Sequence, residues 1–264
     1  MSVIAISKGS FLGGKLLAES LAKKLGYRCI DREVIVEKAA VAGVNPQRLR
    51  ETLLKPPSLF DRLIAYHKYV YLSMLQAALA NEVKDGKVVY HGFVGHLLLT
   101  DASPICRLRV IASLDLRLKL AQERLGMTRK AATAHINKAD QQRKKWTYAL
   151  YGVDWEDPSH YDMVFNLGHL LNVEEASTII ASMVREHSCF DFTPEHRATL
   201  KDFALASDVR ATLAMEIPAA KVKEIKAEGD VVSVWMTSDD LERVDDVRQV
   251  ARTVPGVARI DVKY

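Results

Sequence analysis

The chain has 264 residues, 48% of them hydrophobic, 27% charged and 7% aromatic, with 13 Gly and 8 Pro. This globular composition excludes a collagen-like, low-complexity or wholly disordered protein. The formal net charge of +4 is too mild to point to nucleic acid by itself. However, residues 101–150 hold 11 Lys/Arg against 4 Asp/Glu, a local excess that suits phosphate handling better than a duplex-length contact.

In chain order, the apolar run Val3–Ile6 leads into the glycine-rich SKGSFLGG and then a helical repeat of Leu17, Leu21 and Leu25 closed by Gly26. A second strand is expected at Arg28–Ile30 and a helix from about Glu33 to Ala42. Ser58 and Asp61 form a candidate capping box for a long helix reaching Gly86. KVVYHG and CRLRVIAS read as buried strands, Thr128–Tyr151 as a basic helix, DMVFNL as a fifth strand, and Asn172 as the cap of a helix to about Glu186. Strands alternating with helices imply a parallel sheet covered on both faces. HSCFDFTPEHR (187–197) reads as a linker. Beyond it come a helix (Ala198–Met215), strands at Lys221–Ala227 and Val231–Thr237 around a Gly229 turn, a helix at about Asp240–Thr253 and a last strand at Val257–Lys263. Two domains are therefore expected, 1–187 and 197–264, the second an α-β-β-α-β unit.

Cys29, Cys106 and Cys189 lie far apart without a CxxC pair, which fits reduced thiols and gives no disulfide framework or structural zinc site. The N-terminal MSVIAISKGS lacks the pattern of a signal peptide, and no apolar run reaches the length of a membrane span. A cytoplasmic protein is the expectation.

The segment Gly9-Ser10-Phe11-Leu12-Gly13-Gly14-Lys15 fits the phosphate-loop pattern of Gly, four residues, Gly-Lys. Glycines let backbone N–H groups turn toward phosphates, the helix N-terminus adds positive potential, and the lysine reaches the β/γ-phosphates. The plainer reading is a strand-to-helix turn that needs glycine only for its dihedrals. Leu16 stands where a Ser or Thr hydroxyl would meet Mg²⁺, so the ion would fall to phosphates, waters or another side chain.

ISKGSFLGGKLLAESLAKKLGYRCIDREVI resembles the opening of the cytidylate kinase-like family of P-loop kinases. The resemblance continues through VVYHGFVGHLLL, LRVIASLDLRLKLAQERLGM, INKADQQRKKWTYALYGVDW and YDMVFNLGHL, covering about residues 1–185. It implies a P-loop NTPase-type α/β fold with a helical lid, ATP and Mg²⁺ as cofactors, and phosphoryl transfer to a nucleoside monophosphate such as CMP or dCMP. By the same resemblance Gly9, Ser10, Gly13, Gly14 and Lys15 hold the donor phosphates, Asp31 and Arg32 lie on the acceptor side, and Arg124, Arg129, Lys130, Lys138 and Arg143 belong to the lid. Lys15, Arg129 and Arg143 are the catalytic candidates, and Asp140 sits one helical turn from Arg143. A solvated basic helix is the alternative for any one lid residue.

The family's Gly-Arg after the third strand is Gly92-Phe93 here, leaving His91 or His96 as stand-ins for an acceptor contact, or as packed core histidines. No Asp follows KVVYHG at a metal-ligand position. These departures keep a second expectation open, a nucleotide-binding sensor with weakened catalysis. Asp154 and Asp157 read as turn residues. Trp146, Tyr148 and Tyr151 suit base stacking or packing, and the aromatic stretch Tyr66–Tyr71 suits core or a subunit contact. Residues 197–264 resemble a BON domain through EGDVVSVWM and VPGVARIDV, which implies a binding or regulatory module for a protein or lipid partner. Partners are thus small nucleotides, with nucleic acid and a membrane span not expected and the oligomeric state open.

Overall fold

The computed structural model describes residues 3–9, 13–41, 45–49, 62–92, 94–100, 102, 105–168 and 172–264. The expected Ser58–Asp61 capping box, Ser10 of the glycine loop and Phe93 lie outside them. Five parallel strands form the large sheet: β1 (Val3–Lys8), β2 (Arg28–Asp31), β3 (Val88–His91), β4 (Ile105–Ala112) and β5 (Met163–Leu167). Their order is β2-β3-β1-β4-β5, with Val3 opposite both Val88 and Ile105. The all-parallel sheet explains the composition of the central strands. Their side chains are covered on both faces, so they read as continuous apolar runs.

Alternation along β1 divides the core. Val3 and Ala5 face α3 (Arg62–Val83), where Met74, Leu75, Leu79 and Val83 pack. Ile4 and Ile6 face α1 (Gly13–Leu25) and α7 (Val173–Glu186) through Leu17, Leu21, Ala176 and Ile180. Each such fully buried aliphatic side chain contributes about 1.5–3 kcal/mol. α2 (Arg32–Ala40), the short α4 (Gly95–Leu98), α5 (Leu114–Leu125) and α6 (Arg129–Tyr151) complete this part. α5 and α6 pack through Leu118, Ala121, Ala132 and Ile136 as the expected helical lid. The crossover from β1 to β2 and that from β3 to β4 run in opposite senses, so the strand order switches between β1 and β3, which places a ligand crevice at the carboxyl ends of these two strands.

The C-terminal unit holds α8 (Pro194–Glu216), β6 (Val222–Glu228), β7 (Val231–Met236), α9 (Val244–Ala251) and β8 (Arg259–Lys263). β6 and β7 are antiparallel, and β8 joins β7 in parallel. The expected alternation on β7 is present, with Val232, Val234 and Met236 all buried. Two expectations shift. α8 begins at Pro194, inside the expected linker, because Thr193 accepts from the His196 N–H at 3.2 Å and Pro194 takes the first helical position. The helix expected over 240–253 is shorter, a single 3₁₀ turn at Leu241–Arg243 followed by α9. α8 also serves two cores: Leu200, Ala211 and Ala214 join the large one, and Ala206, Val209 and Leu213 the small one. The three cysteines are free thiols.

Candidate functional site

The site is built where β1, β2 and β3 end. β1 delivers Lys8 and Gly9, and α1 opens with Gly13, Gly14 and Lys15. Gly14 is required by contact. A Cβ there would lie 2.4 Å from Lys8 Cδ and 2.8 Å from Lys8 Cβ, so the lysine stem passes directly beneath the helix N-terminus. The Lys15 side chain is half exposed and pairs with Glu19 at 3.7 Å, a weak surface contact that a phosphate can replace.

β2 and β3 run in register, with Asp31 opposite His91. The Asp31 carboxylate caps α2, accepting from the N–H groups of Glu33 and Val34 at 3.0 and 3.1 Å. That cap fixes Arg32 in the first turn, where Glu33 holds its guanidinium at 2.7 Å. His91 is buried, and desolvation and the neighbouring Lys8 push its pKa down.

The lid reaches this cluster by one end. Arg143 donates from Nη1 to the Lys8 carbonyl at 3.0 Å and lies 3.8 Å from Asp140, the expected pairing one turn away. Asp140 also receives Arg117 at 2.6 Å, and the Arg117 guanidinium stands 3.4 Å from where a Cβ on Gly9 would be. Burial lowers the Arg143 pKa to about 10, countered in part by Asp140 and reinforced by Arg117 and Arg32. Desolvation, then Arg143, Lys15 and Arg32, bring the Lys8 pKa down to about 8. The structure thus gathers Gly9, Gly14, Lys15, Asp31, Arg32, His91, Asp140 and Arg143 at one strand end.

Other expected residues stand apart. Arg129 is exposed and pairs with Asp115 at 2.9 Å. It precedes Arg143 by 14 residues on one helix, roughly 21 Å along the axis, and of the two it is Arg143 that reaches the Lys8 carbonyl. Arg124, Lys130 and Lys138 are exposed. His96 is a core residue instead of an acceptor contact. Its Nε2 is 3.3 Å from the Tyr161 hydroxyl, and burial drives its pKa to about 3. Trp146 is fully buried, so it packs and offers no stacking face, whereas Tyr148 is exposed. Asp154 and Asp157 do serve turns, accepting from the Glu156 and Ser159 N–H groups at 3.0 and 2.8 Å.

Sequence reasoning missed Lys8 and Arg117, although both lie in segments that carried the resemblance. It also missed a buttress. Arg109 is buried on β4, donates to the carbonyls of Trp155 and Glu156, and stacks on Trp155 at 4.9 Å. Arg143 lies 5.8 Å from the centre of the same indole, so the buttress helps to place it.

Among the described residues, the donor set near the loop does not suit Mg²⁺. Leu16 offers no oxygen and β3 ends in His91. The Asp31 Oδ1 and both oxygens of Asp140 are engaged as described. Among the described residues no cluster of three or more His, Cys, Asp or Glu could hold a metal ion, nor is any helix long and apolar enough to cross a membrane.

Residues 3–169 match the cytidylate kinase-like family. No curated protein sequence matches. Among solved structures, an uncharacterised protein from Eubacterium ventriosum ATCC 27560 is similar at 20% identity and a TM-score of 0.54, over 70% of this chain and 99% of that one. A shikimate kinase from Bacteroides thetaiotaomicron aligns at 12% identity and a TM-score of 0.41, over 70% and 98%. TT1252 from Thermus thermophilus aligns at 16% and 0.42, over 71% and 98%. The likeness to the first is one of fold.

Proposed function

Because the chain belongs to the cytidylate kinase-like family, we propose that it transfers the γ-phosphoryl group of ATP to a nucleoside monophosphate, CMP or dCMP by the family's character. The observation that carries this reading is the convergence of Lys8, Lys15, Arg32, Arg117 and Arg143 on a glycine turn at the carboxyl end of a parallel sheet. An oxygen of the acceptor phosphate attacks the γ-phosphorus, the bond to the β–γ bridging oxygen breaks, and ADP leaves with that electron pair. Little covalent work falls to the protein, so the residues act by positioning and by neutralising the equatorial oxygens.

In this scheme the loop glycines and Lys15 hold the β- and γ-phosphates, and Arg143 approaches the group in flight from the lid side. Arg32, fixed by the Asp31 cap, faces the acceptor. A divalent metal would supply further neutralisation of the phosphate charge, and the described residues of this chain would add few ligands to it. Replacing Lys15 with Ala should lower turnover of ATP plus CMP by about 100-fold or more with the melting temperature unchanged. Turnover within a few-fold of wild type sinks the assignment.

The C-terminal unit is proposed to be a BON-like accessory module. A second reading, a nucleotide sensor without transfer, draws support from Leu16 and from the way α8 is built into both cores. A cavity of about 510 Å³ opens between α2, α3, α8 and Val254–Pro255. It touches the same helix that starts at Arg32, so the accessory unit has a physical route to the acceptor side. ATP binding without ADP formation, across all ribo- and deoxyribonucleoside monophosphates, is the result that selects this reading.

A further inference from the structure

Resting on the reading of the strand ends as a phosphate site, we propose that the chain neutralises the nucleotide polyphosphate with its own cations. Lys8 is a direct phosphate ligand, and the metal-free nucleotide is the form bound best.

Two inventories support this. The first is of anionic and neutral oxygen donors. Position 16 is Leu, 39% exposed and chemically inert toward a cation. At the end of β4 the Ser113 hydroxyl is occupied as a helix cap, accepting from the Leu116 N–H at 3.3 Å. Asp31 gives its Oδ1 to the α2 cap, and Asp140 gives both oxygens to Arg117 and Arg143. Among the described residues, a magnesium ion here would meet cations, an aliphatic side chain and a single free carboxylate oxygen, that of Asp31, far short of the oxygen shells that hard divalent ions select.

The second inventory is of cations. Lys8 sits between the glycine loop and the ends of β2 and β3, with Arg143, Lys15 and Arg32 as its charged surroundings and Asp31 as the acid that opposes them. Among the described residues its ammonium makes no hydrogen bond and no ion pair. A lysine taken out of water beside three other cations is costly unless an anion joins it. Its pKa of about 8 reports the same cost. The phosphates of a nucleotide supply the missing charge, and free ATP carries more of it than its magnesium complex. An arriving phosphate also raises the Lys8 pKa again, so binding above pH 8 draws a proton from solvent.

Calorimetric titration of the full chain with ATP at pH 8.5 tests this, in EDTA and in excess Mg²⁺, each in two buffers of different ionisation enthalpy. The expected result is affinity in EDTA at least equal to that in Mg²⁺, with net proton uptake. Lys8→Met should lower the affinity about tenfold or more and remove the uptake, while Lys8→Arg keeps most of the affinity. Binding that Mg²⁺ strengthens tenfold or more overturns the inference and leaves the phosphate site standing. So does an unchanged affinity in a folded Lys8→Met variant. No ATP binding in either condition overturns the phosphate site itself.

Discussion

The two sheets of this protein differ in how crowded and how buried their charges are. In the C-terminal unit cations meet acids close by along the surface: Lys221 with Asp239 at 2.5 Å, Arg248 with Asp245 at 2.6 Å and Arg259 with Asp261 at 3.0 Å. At the carboxyl ends of the large sheet, Lys8, Lys15, Arg32, Arg117 and Arg143 gather near Gly9 and Gly14; Arg117 and Arg143 share Asp140, Lys15 and Arg32 pair with Glu19 and Glu33, and among the described residues Lys8 has no ion pair. Locally paired surface charge costs little and does little. Crowded, partly desolvated cations are expensive, and such expense is concentrated where a ligand repays it. Under the proposed function, the crowded strand end is the region that binds an anion and the C-terminal surface is not.

The comparison breaks most visibly at Gly14. Gly14→Val puts a branched side chain into the space of the Lys8 stem, where even a Cβ would sit 2.4 Å from Cδ. ATP affinity should fall by about 100-fold or more, read by calorimetry, because the loop can no longer close over Lys8. Retained affinity would show that the loop does not depend on this contact.

His96 sharpens the structural half of the comparison. Its folded pKa of about 3 lies below the unfolded value of 6.5. The unfolded chain therefore binds the extra proton between these values, and stability falls as pH drops through that window. From pH 6.5 to 4.5 this histidine should account for about 2–3 kcal/mol of lost unfolding free energy. In urea titrations, His96→Gln should flatten that part of the profile, and an unchanged slope would contradict a buried neutral imidazole.

The smallest effect belongs to the C-terminal surface. Arg259→Ala should change stability by less than about 1 kcal/mol and ATP affinity not at all, because its partner Asp261 is also solvated. A large effect on nucleotide affinity would mean that the accessory surface reports to the strand ends.

Much of the fold was legible because it is written in local periodicity. β1, β3 and β4 are short apolar runs between helical patterns, and the alternation of β7 marks one buried face. The start of α8 is not legible from periodicity, because Thr193-Pro194 fits a linker as well as a helix cap. At the site, the glycine turn, Lys15 and the Asp140–Arg143 pair follow from spacing. Lys8, Arg117 and the Arg109–Trp155 buttress do not, since their roles arise from contacts such as that of Arg143 with the Lys8 carbonyl, 135 residues away in sequence. The available signal is positional: Lys8 ends a buried strand and Arg117 lies in the first turn of the helix after β4, both places that face the strand-end crevice.

The most direct measurement is a crystal structure of the full chain with a non-hydrolysable ATP analogue. The account predicts the β- and γ-phosphates within hydrogen-bonding distance of Lys8, Lys15 and Arg143, with the Gly9–Gly14 turn wrapped around them. An analogue bound instead in the cavity between α2, α3 and α8, with the strand-end cations untouched, would contradict it.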